Sequence, residues 1–262
     1  MKNDIIKNRY YNYYNEEKEG GQKMYKNYIF DLYGTLVDIN TNETKKILWD
    51  KMQELYAFYG AEYTSKELKK EYNRICREEE AKIKKFDYPE MKIEKVFKRL
   101  FEQKGVKMDT KSIVLVAQFF RITSTKYVRL YDETISVLEE LKAKGKKIYL
   151  LSNAQNAFTA YEMKYLGIYD YFDGIKISSN ESVRKPSLMF YDSLFEQYGL
   201  KKEESVMIGN DWISDMKSAN DYGIDSIYIH TDISPRDTII EEIRATYKIL
   251  DGNIGNVKKY IR

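Results

Sequence analysis

The chain carries a single cysteine, Cys76, among its 262 residues, so no disulfide can form within it. Flanked by Arg74, Arg77 and Glu78, that thiol suits a partly buried helix position better than a catalytic one. A reducing cytoplasm is the expected compartment. A strong charge of one sign is also missing. Charged residues make up 32% of the chain, yet the two signs nearly cancel to +3 and are mixed along it. That balance argues against a nucleic-acid partner. The basic stretch 142–147 reads as a solvated helix end. No run approaches the roughly 20 apolar residues of a membrane span, so no membrane partner is expected. The N-terminus lacks the apolar stretch of a secretory signal. Residues 1–23 show no helical or strand period and are expected to be a flexible N-terminal extension.

What is present is a hydrophobic fraction of 43%, enough for one large domain or for a core with a smaller companion. Short apolar runs at 28–32, 147–151, 174–178, 205–209 and 226–230 alternate with helical patterns, and 246–250 is a possible further edge strand. Helices are expected at 134–144, 155–165, 187–198, 214–222 and 236–245. Gly145, Gly167, Gly199 and Gly223 stand just past four of them, as C-terminal caps. The alternation predicts an α/β fold: a Rossmann-like parallel sheet with helices on both faces, formed by 24–40 and 130–262.

Residues 41–129 break the alternation. They contain no clear strand and four helical patterns. Leu48, Met52, Leu55 and Tyr59 recur at helical spacing; Leu68, Tyr72, Ile75 and Glu79 do so next, continued by Ile83 and Phe86. Thr64 with Glu67 forms a capping-box signature. Ile93, Val96, Phe97, Leu100 and Phe101 mark a third helix, and Ile113, Val116, Phe119 and Phe120 a fourth. An insert of this size is too large for a loop. It predicts a separate, smaller all-α cap domain, with its aromatic stripes forming mainly its own core.

In doubly wound sheets, ligands bind beyond the carboxyl ends of the strands. Those ends deliver Asp31 with Tyr33, Gly34 and Thr35; then Ser152 and Asn153; then Arg184, Lys185 and Pro186; then Asn210 and Asp211, with Asp215 one turn later. Singly, each has an ordinary structural reading: Ser152-Asn153 as a helix cap, Lys185-Pro186 as a surface turn, Asp211 to Asp215 as a helix start. Together they suit phosphoryl transfer. A carboxylate can attack phosphorus and form an acyl phosphate. Attack of an anion on an anion needs charge neutralisation, which Mg²⁺ with oxygen ligands supplies. Lys185, Ser152, the Asn153 backbone and Thr35 are the expected substrate-binding donors.

On the stretches Asp31-Leu-Tyr-Gly-Thr-Leu36, Leu150-Leu-Ser-Asn153, Arg184-Lys-Pro186 and Ile208-Gly-Asn-Asp-Trp-Ile-Ser-Asp215, the chain resembles the haloacid dehalogenase superfamily across about residues 25–235. The insert resembles the helical cap that this superfamily places between its first two strands. The resemblance implies that Asp31 is the nucleophile, with Asp31, the backbone carbonyl of Tyr33 and Asp211 as Mg²⁺ ligands. It further implies that Asn210 and Asp215 support the site and that Ser152 and Lys185 hold the phosphoryl group. The implied activity is a Mg²⁺-dependent phosphatase of small phosphorylated metabolites.

Tyr33 departs from that pattern. Phosphatases of the superfamily usually carry there an Asp that protonates the leaving group and activates water, a contribution of about 10²–10⁴-fold. A tyrosine, with an ordinary pKa of about 10, is a poor base at neutral pH. Tyrosine here, and Tyr191 further on, instead resemble the metal-independent 2-haloacid dehalogenases of the same superfamily. Against that, those enzymes use an arginine some thirty residues after the nucleophile, where this chain has Gly60, Ala61 and Glu62, and they carry Asn where it has Asp211. A weakly active or non-catalytic phosphate-ligand binding protein is the remaining alternative. Lys51, Arg74, Arg77 and Arg121 are cap cations whose helical phase makes them candidates to face the site. The sequence leaves the oligomeric state open.

Overall fold

The computed structural model describes residues 23–262; the expected extension therefore lies, apart from Lys23, outside the described residues. Six parallel strands form the main sheet: β1 (Asn27–Phe30), β4 (Lys147–Ser152), β5 (Gly174–Ile177), β6 (Ser205–Gly209), β7 (Asp225–Ile229) and β8 (Tyr247–Ile249). Their order is β5-β4-β1-β6-β7-β8. The expected edge strand is thus present as β8, in parallel register with β7.

The side-chain alternation of the strands sorts the core into two layers. Tyr28, Phe30, Ile148, Leu150, Val206 and Ile208 face one side, where they meet Val137, Leu138 and Leu141 of α5 (Thr134–Ala143) and Met163 of α6 (Asn156–Tyr165). Ile29, Tyr149, Leu151 and Met207 face the other, against Phe190, Tyr191 and Leu194 of α8 (Leu188–Tyr198) and Tyr222 of α9 (Ser218–Tyr222). Successive residues of one strand point to opposite faces, so a strand covered on both sides reads as a continuous apolar run. Gly145, Gly167, Gly199 and Gly223 all take positive φ just past their helices.

Between β1 and β4 lie α1 (Lys46–Phe58), α2 (Ser65–Ala81), α3 (Ile93–Glu102) and α4 (Thr110–Ser124). They enclose an aromatic core of their own. Trp49, Tyr56, Tyr72, Phe97, Phe101 and Phe120 are buried there, with Tyr56 stacked on Phe101 at 4.0 Å. The Thr64–Glu67 capping box is formed in full. Ala157 and Phe158 of α6 join this cluster, so the cap packs on the core through α6.

Three features differ from the sequence reading. The span 41–129 does hold a strand. β3 (Thr125–Leu130) pairs antiparallel with β2 (Val37–Thr41), making a two-stranded ribbon where the chain leaves and re-enters the core. Its half-exposed residues give no clean alternation, and its partner lies some ninety residues away. Second, the pattern at Ile83 and Phe86 does not extend α2, which ends at Ala81; Phe86 packs against the core layer around Phe190. Third, 236–245 is not a helix beyond a short turn at Ile240–Glu242. Three β-branched residues in sequence, Thr238, Ile239 and Ile240, disfavour the helix. Ile243 is its one buried anchor, and a turn closes from Thr238 N–H to the Pro235 carbonyl. The small α7 (Ser178–Glu181) follows β5 directly.

Candidate active site

β1 is central, and the strand order runs outward from it in both directions. Its carboxyl end is therefore the crevice where chain connections diverge. Asp31 stands one residue past that end, its N–H still donating to the Ile208 carbonyl of β6 at 2.9 Å. Ser152 ends β4 on one side; Asn210 and Asp211 follow β6 on the other. Asp31, Tyr33, Ser152, Asn153, Asn210, Asp211, Ser214 and Asp215 line one cavity of about 260 Å³ with Ile233 and Pro235 at its edge.

Lys185 does not line this cavity but lies beneath it. Lys185 is 2% exposed, and its ammonium donates to Asp31 Oδ1 at 2.8 Å, Asp215 Oδ1 at 2.7 Å and the Leu151 carbonyl at 2.7 Å. All three of its protons are thereby used. Burial alone would push this ammonium down, but Asp215 and Asp31 outweigh it and hold the pKa raised, so Lys185 is charged. Burial pushes the Asp215 carboxyl up, opposed by Lys185. Asp215 Oδ2 accepts the Asp211 N–H at 3.0 Å, which ties the loop after β6 to the lysine. Asn153 fixes the lysine's backbone from both sides: its Oδ1 accepts from Lys185 N–H at 2.8 Å and its Nδ2 donates to the Lys185 carbonyl at 3.0 Å.

Ser152 Oγ donates to Asp31 Oδ1 at 3.1 Å. One oxygen of Asp31 is therefore held by two donors, and Oδ2 accepts no hydrogen bond among the described residues. Asp211 repeats the arrangement: Oδ1 accepts the N–H groups of Ile213 and Ser214 at 2.8 Å as a helix cap, and Oδ2 is left over. The carbonyl of Tyr33 likewise accepts nothing among the described residues. Two such carboxylate oxygens and a carbonyl at one cavity are the hard donors that Mg²⁺ takes. Among the described residues, no three His, Cys, Asp or Glu side chains cluster to cage a metal by themselves. A cation here would complete its shell with water and substrate, as Mg²⁺ commonly does.

Two glycines are required at this wall. A Cβ on Gly34, whose φ is +86°, would lie 2.3 Å from Asn210 Nδ2; one on Gly209 would lie 2.3 Å from Asp215 Oδ2.

Thr35 is not brought to the cavity. It is buried, its hydroxyl 3.4 Å from Asn210 Oδ1, so it braces Asn210 instead of meeting a ligand. The Tyr33 hydroxyl is engaged elsewhere: it donates to Glu162 and lies 3.1 Å from Thr159 Oγ1, both on α6. Burial, and then the Glu162 charge, hold its pKa well above the ordinary phenol range. Tyr191 is fully buried and bonded to Ser218, 2.9 Å away, as a prop behind Asp215. Of the cap cations, Lys51 and Arg74 are paired with Glu54, and with Glu71 and Glu78, on the cap surface, and Arg77 is exposed. Arg121 alone of these four reaches the seam, paired with Glu162. Glu162 was not singled out from the sequence. Its only signal was a carboxylate one turn from Phe158 on an otherwise apolar helix face. Ile233 and Pro235 were also missed, because neither side chain carries a group that does chemistry or binds a charge.

The model of the haloacid dehalogenase-like hydrolases matches residues 25–223, and the chain belongs to that family. A glyceraldehyde 3-phosphate phosphatase of Methanothermobacter thermautotrophicus is 26% identical over 47% of this chain, and the match spans 59% of that protein. A pyrimidine 5'-nucleotidase of Streptococcus pneumoniae is 25% identical over 78% of this chain and 83% of its own length. Among solved structures, a 2-haloacid dehalogenase of Pseudomonas syringae superposes with a TM-score of 0.61 at 18% identity, covering 90% of this chain and 98% of the other. A likeness at that identity speaks to fold alone. Among the described residues, no helix is long and apolar enough to cross a membrane.

Proposed function

We propose that the protein is a Mg²⁺-dependent hydrolase of small phosphorylated metabolites that works through an aspartyl phosphate on Asp31, with 41–129 as its cap. The observation that carries this reading is Asp31 itself: one oxygen is fixed by Lys185 and Ser152, and the other is left toward a cavity that Asp211 shares. A carboxylate oxygen of Asp31 attacks phosphorus, the bond from phosphorus to the ester oxygen breaks, and the leaving oxygen departs with the bond's electron pair. Water then attacks the phosphorus of the acyl phosphate, returning the Asp31 carboxylate and releasing inorganic phosphate. A metal bound by Asp31, the Tyr33 carbonyl and Asp211 would neutralise charge on the phosphoryl oxygens. Lys185 and Ser152 hold Asp31 oriented, and the Asn153 backbone offers a donor to the phosphoryl group.

No side chain at the usual position gives a proton to the leaving oxygen, since the Tyr33 hydroxyl already donates to Glu162. Esters whose leaving group needs no proton should turn over fastest. Dehalogenation is the weaker reading: a carboxylate substrate would meet Asp211, and would find Arg121 already neutralised by Glu162. The discriminating experiment is phosphate release from an aryl phosphate with and without Mg²⁺, beside chloride release from 2-chloropropionate. Metal-dependent phosphate release lost in Asp31→Asn supports the hydrolase. Chloride release without metal supports the dehalogenase, and tight phosphate-ester binding with neither product points to a binding protein.

A further inference from the structure

Tyr33, two residues after Asp31, is also the point at which the cap touches the nucleophile loop. Its hydroxyl donates to Glu162 and lies 3.1 Å from Thr159 Oγ1, both on α6. The same Glu162 carboxylate accepts Arg121 Nε at 2.6 Å on Oε1 and Nη2 at 3.1 Å on Oε2. Arg121 comes from α4 of the cap. Its guanidinium also lies 5.1 Å from the centre of the Tyr33 ring and 4.7 Å from that of Phe158. The Arg121 and Glu162 side chains are each only 13% exposed. The pair is thus shielded from water, where removing one partner is felt much more than at a surface.

Glu162 is the hub of this arrangement. Thr159 and Glu162 are core residues, Arg121 is a cap residue, and Tyr33 belongs to the loop that carries Asp31. The packing of α6 is already provided by Ala157, Phe158 and Met163, so a charged residue at 162 is not needed to hold the helix in place.

We infer that Glu162 is a positioning residue: by holding Tyr33 and Arg121 on one carboxylate, it couples closure of the cap to placement of the loop that carries the nucleophile. With Arg121 docked, the Tyr33 ring lies between a guanidinium and α6, and its backbone carbonyl is held in one place beside Asp31. With Arg121 withdrawn, the ring loses one face and the loop gains freedom. The inference rests on the hydrolase reading of Asp31 and adds what sets the nucleophile's position.

The test pairs kinetics with a measurement that needs no turnover. On p-nitrophenyl phosphate with Mg²⁺, Glu162→Gln and Arg121→Gln should each lower kcat by at least about tenfold with KM changed less than about threefold. The double variant should be no slower than the slower single one, because both remove the same coupling. Arg121→Lys, which keeps a charge for Glu162, should regain part of kcat. By hydrogen exchange, the amides of residues 32–36 should exchange faster in both single variants while those of the main sheet are unchanged. Multiplicative losses in the double variant, or unchanged exchange at 32–36, would overturn the coupling. If wild type itself releases no phosphate, the hydrolase reading fails, and the exchange result still decides whether the coupling exists.

Discussion

At the scale of single residues, the site is organised around one buried cation. Lys185 balances Asp31 and Asp215 in a place with almost no access to water. Removing one partner of such a buried cluster typically costs about 3–5 kcal/mol. Lys185→Met is therefore expected to lower the melting temperature as well as abolish turnover. Adding Asp215→Asn to it should recover part of the stability and none of the activity, as thermal unfolding of the three variants would reveal. Tyr33 gives a sharper chemical prediction. Tyr33→Asp places a carboxyl where a leaving-group acid could act, but it also removes the hydroxyl from Glu162. Absolute rates therefore mix two effects. The informative quantity is the ratio of alkyl to aryl phosphate turnover, which should rise by about tenfold or more, within the range general acids supply. An unchanged ratio would mean that position 33 has no part in leaving-group chemistry.

Elements show which parts of the molecule were legible beforehand. The β1, β4 and β6 runs could be read because both faces of each strand are covered, and the four cap helices because each presents one apolar stripe to a shared core. β3 could not, since its pairing with β2 is non-local and half-exposed. The site divides in the same way. Asp31, Ser152, Asn153, Asn210 and Asp211 follow strands and come together once the strands align. Thr35 stood beside them in the sequence, yet its side chain turns to Asn210. The Tyr33–Glu162–Arg121 cluster joins residues from three distant segments, and no spacing rule announces it. The cap helix α2 offers a local check: Thr64→Ala removes the capping-box hydroxyl and should cost about 1 kcal/mol by denaturant unfolding.

The loop from α2 to α3 makes a second attachment between cap and core. Arg184, next to Lys185, pairs with Glu80 at 2.8 Å and donates to the Pro89 carbonyl. Glu90 accepts from Gln155 at 2.8 Å and from Ser178 at 3.2 Å. Burial raises the Glu90 carboxyl from 4.5 to about 7; Arg184 and the Ser178 and Gln155 hydrogen bonds oppose the shift, and the Glu80 charge adds to it. A raised carboxyl favours the protonated form in the folded state. Its contribution is complete below the ordinary value and is lost as pH rises through about 7. Amide exchange at residues 86–93 should therefore speed up between about pH 5 and about pH 8 beyond the intrinsic rate change, and Glu90→Gln should remove that excess.

For the whole molecule, the sheet fixes Asp31, Lys185 and Asp211 at one crevice, and the cap meets that crevice beside Tyr33 and beside Lys185. The account stands or falls on Asp31 as a nucleophile toward phosphorus. The direct measurement is to mix the enzyme with Mg²⁺ and an aryl phosphate, quench in acid within a turnover, and weigh the peptide that carries Asp31. The account predicts one added phosphoryl group on Asp31, present only with Mg²⁺ and absent in Asp31→Asn. Steady phosphate release with that peptide unmodified at every quench time, or release that survives Asp31→Asn, would contradict it.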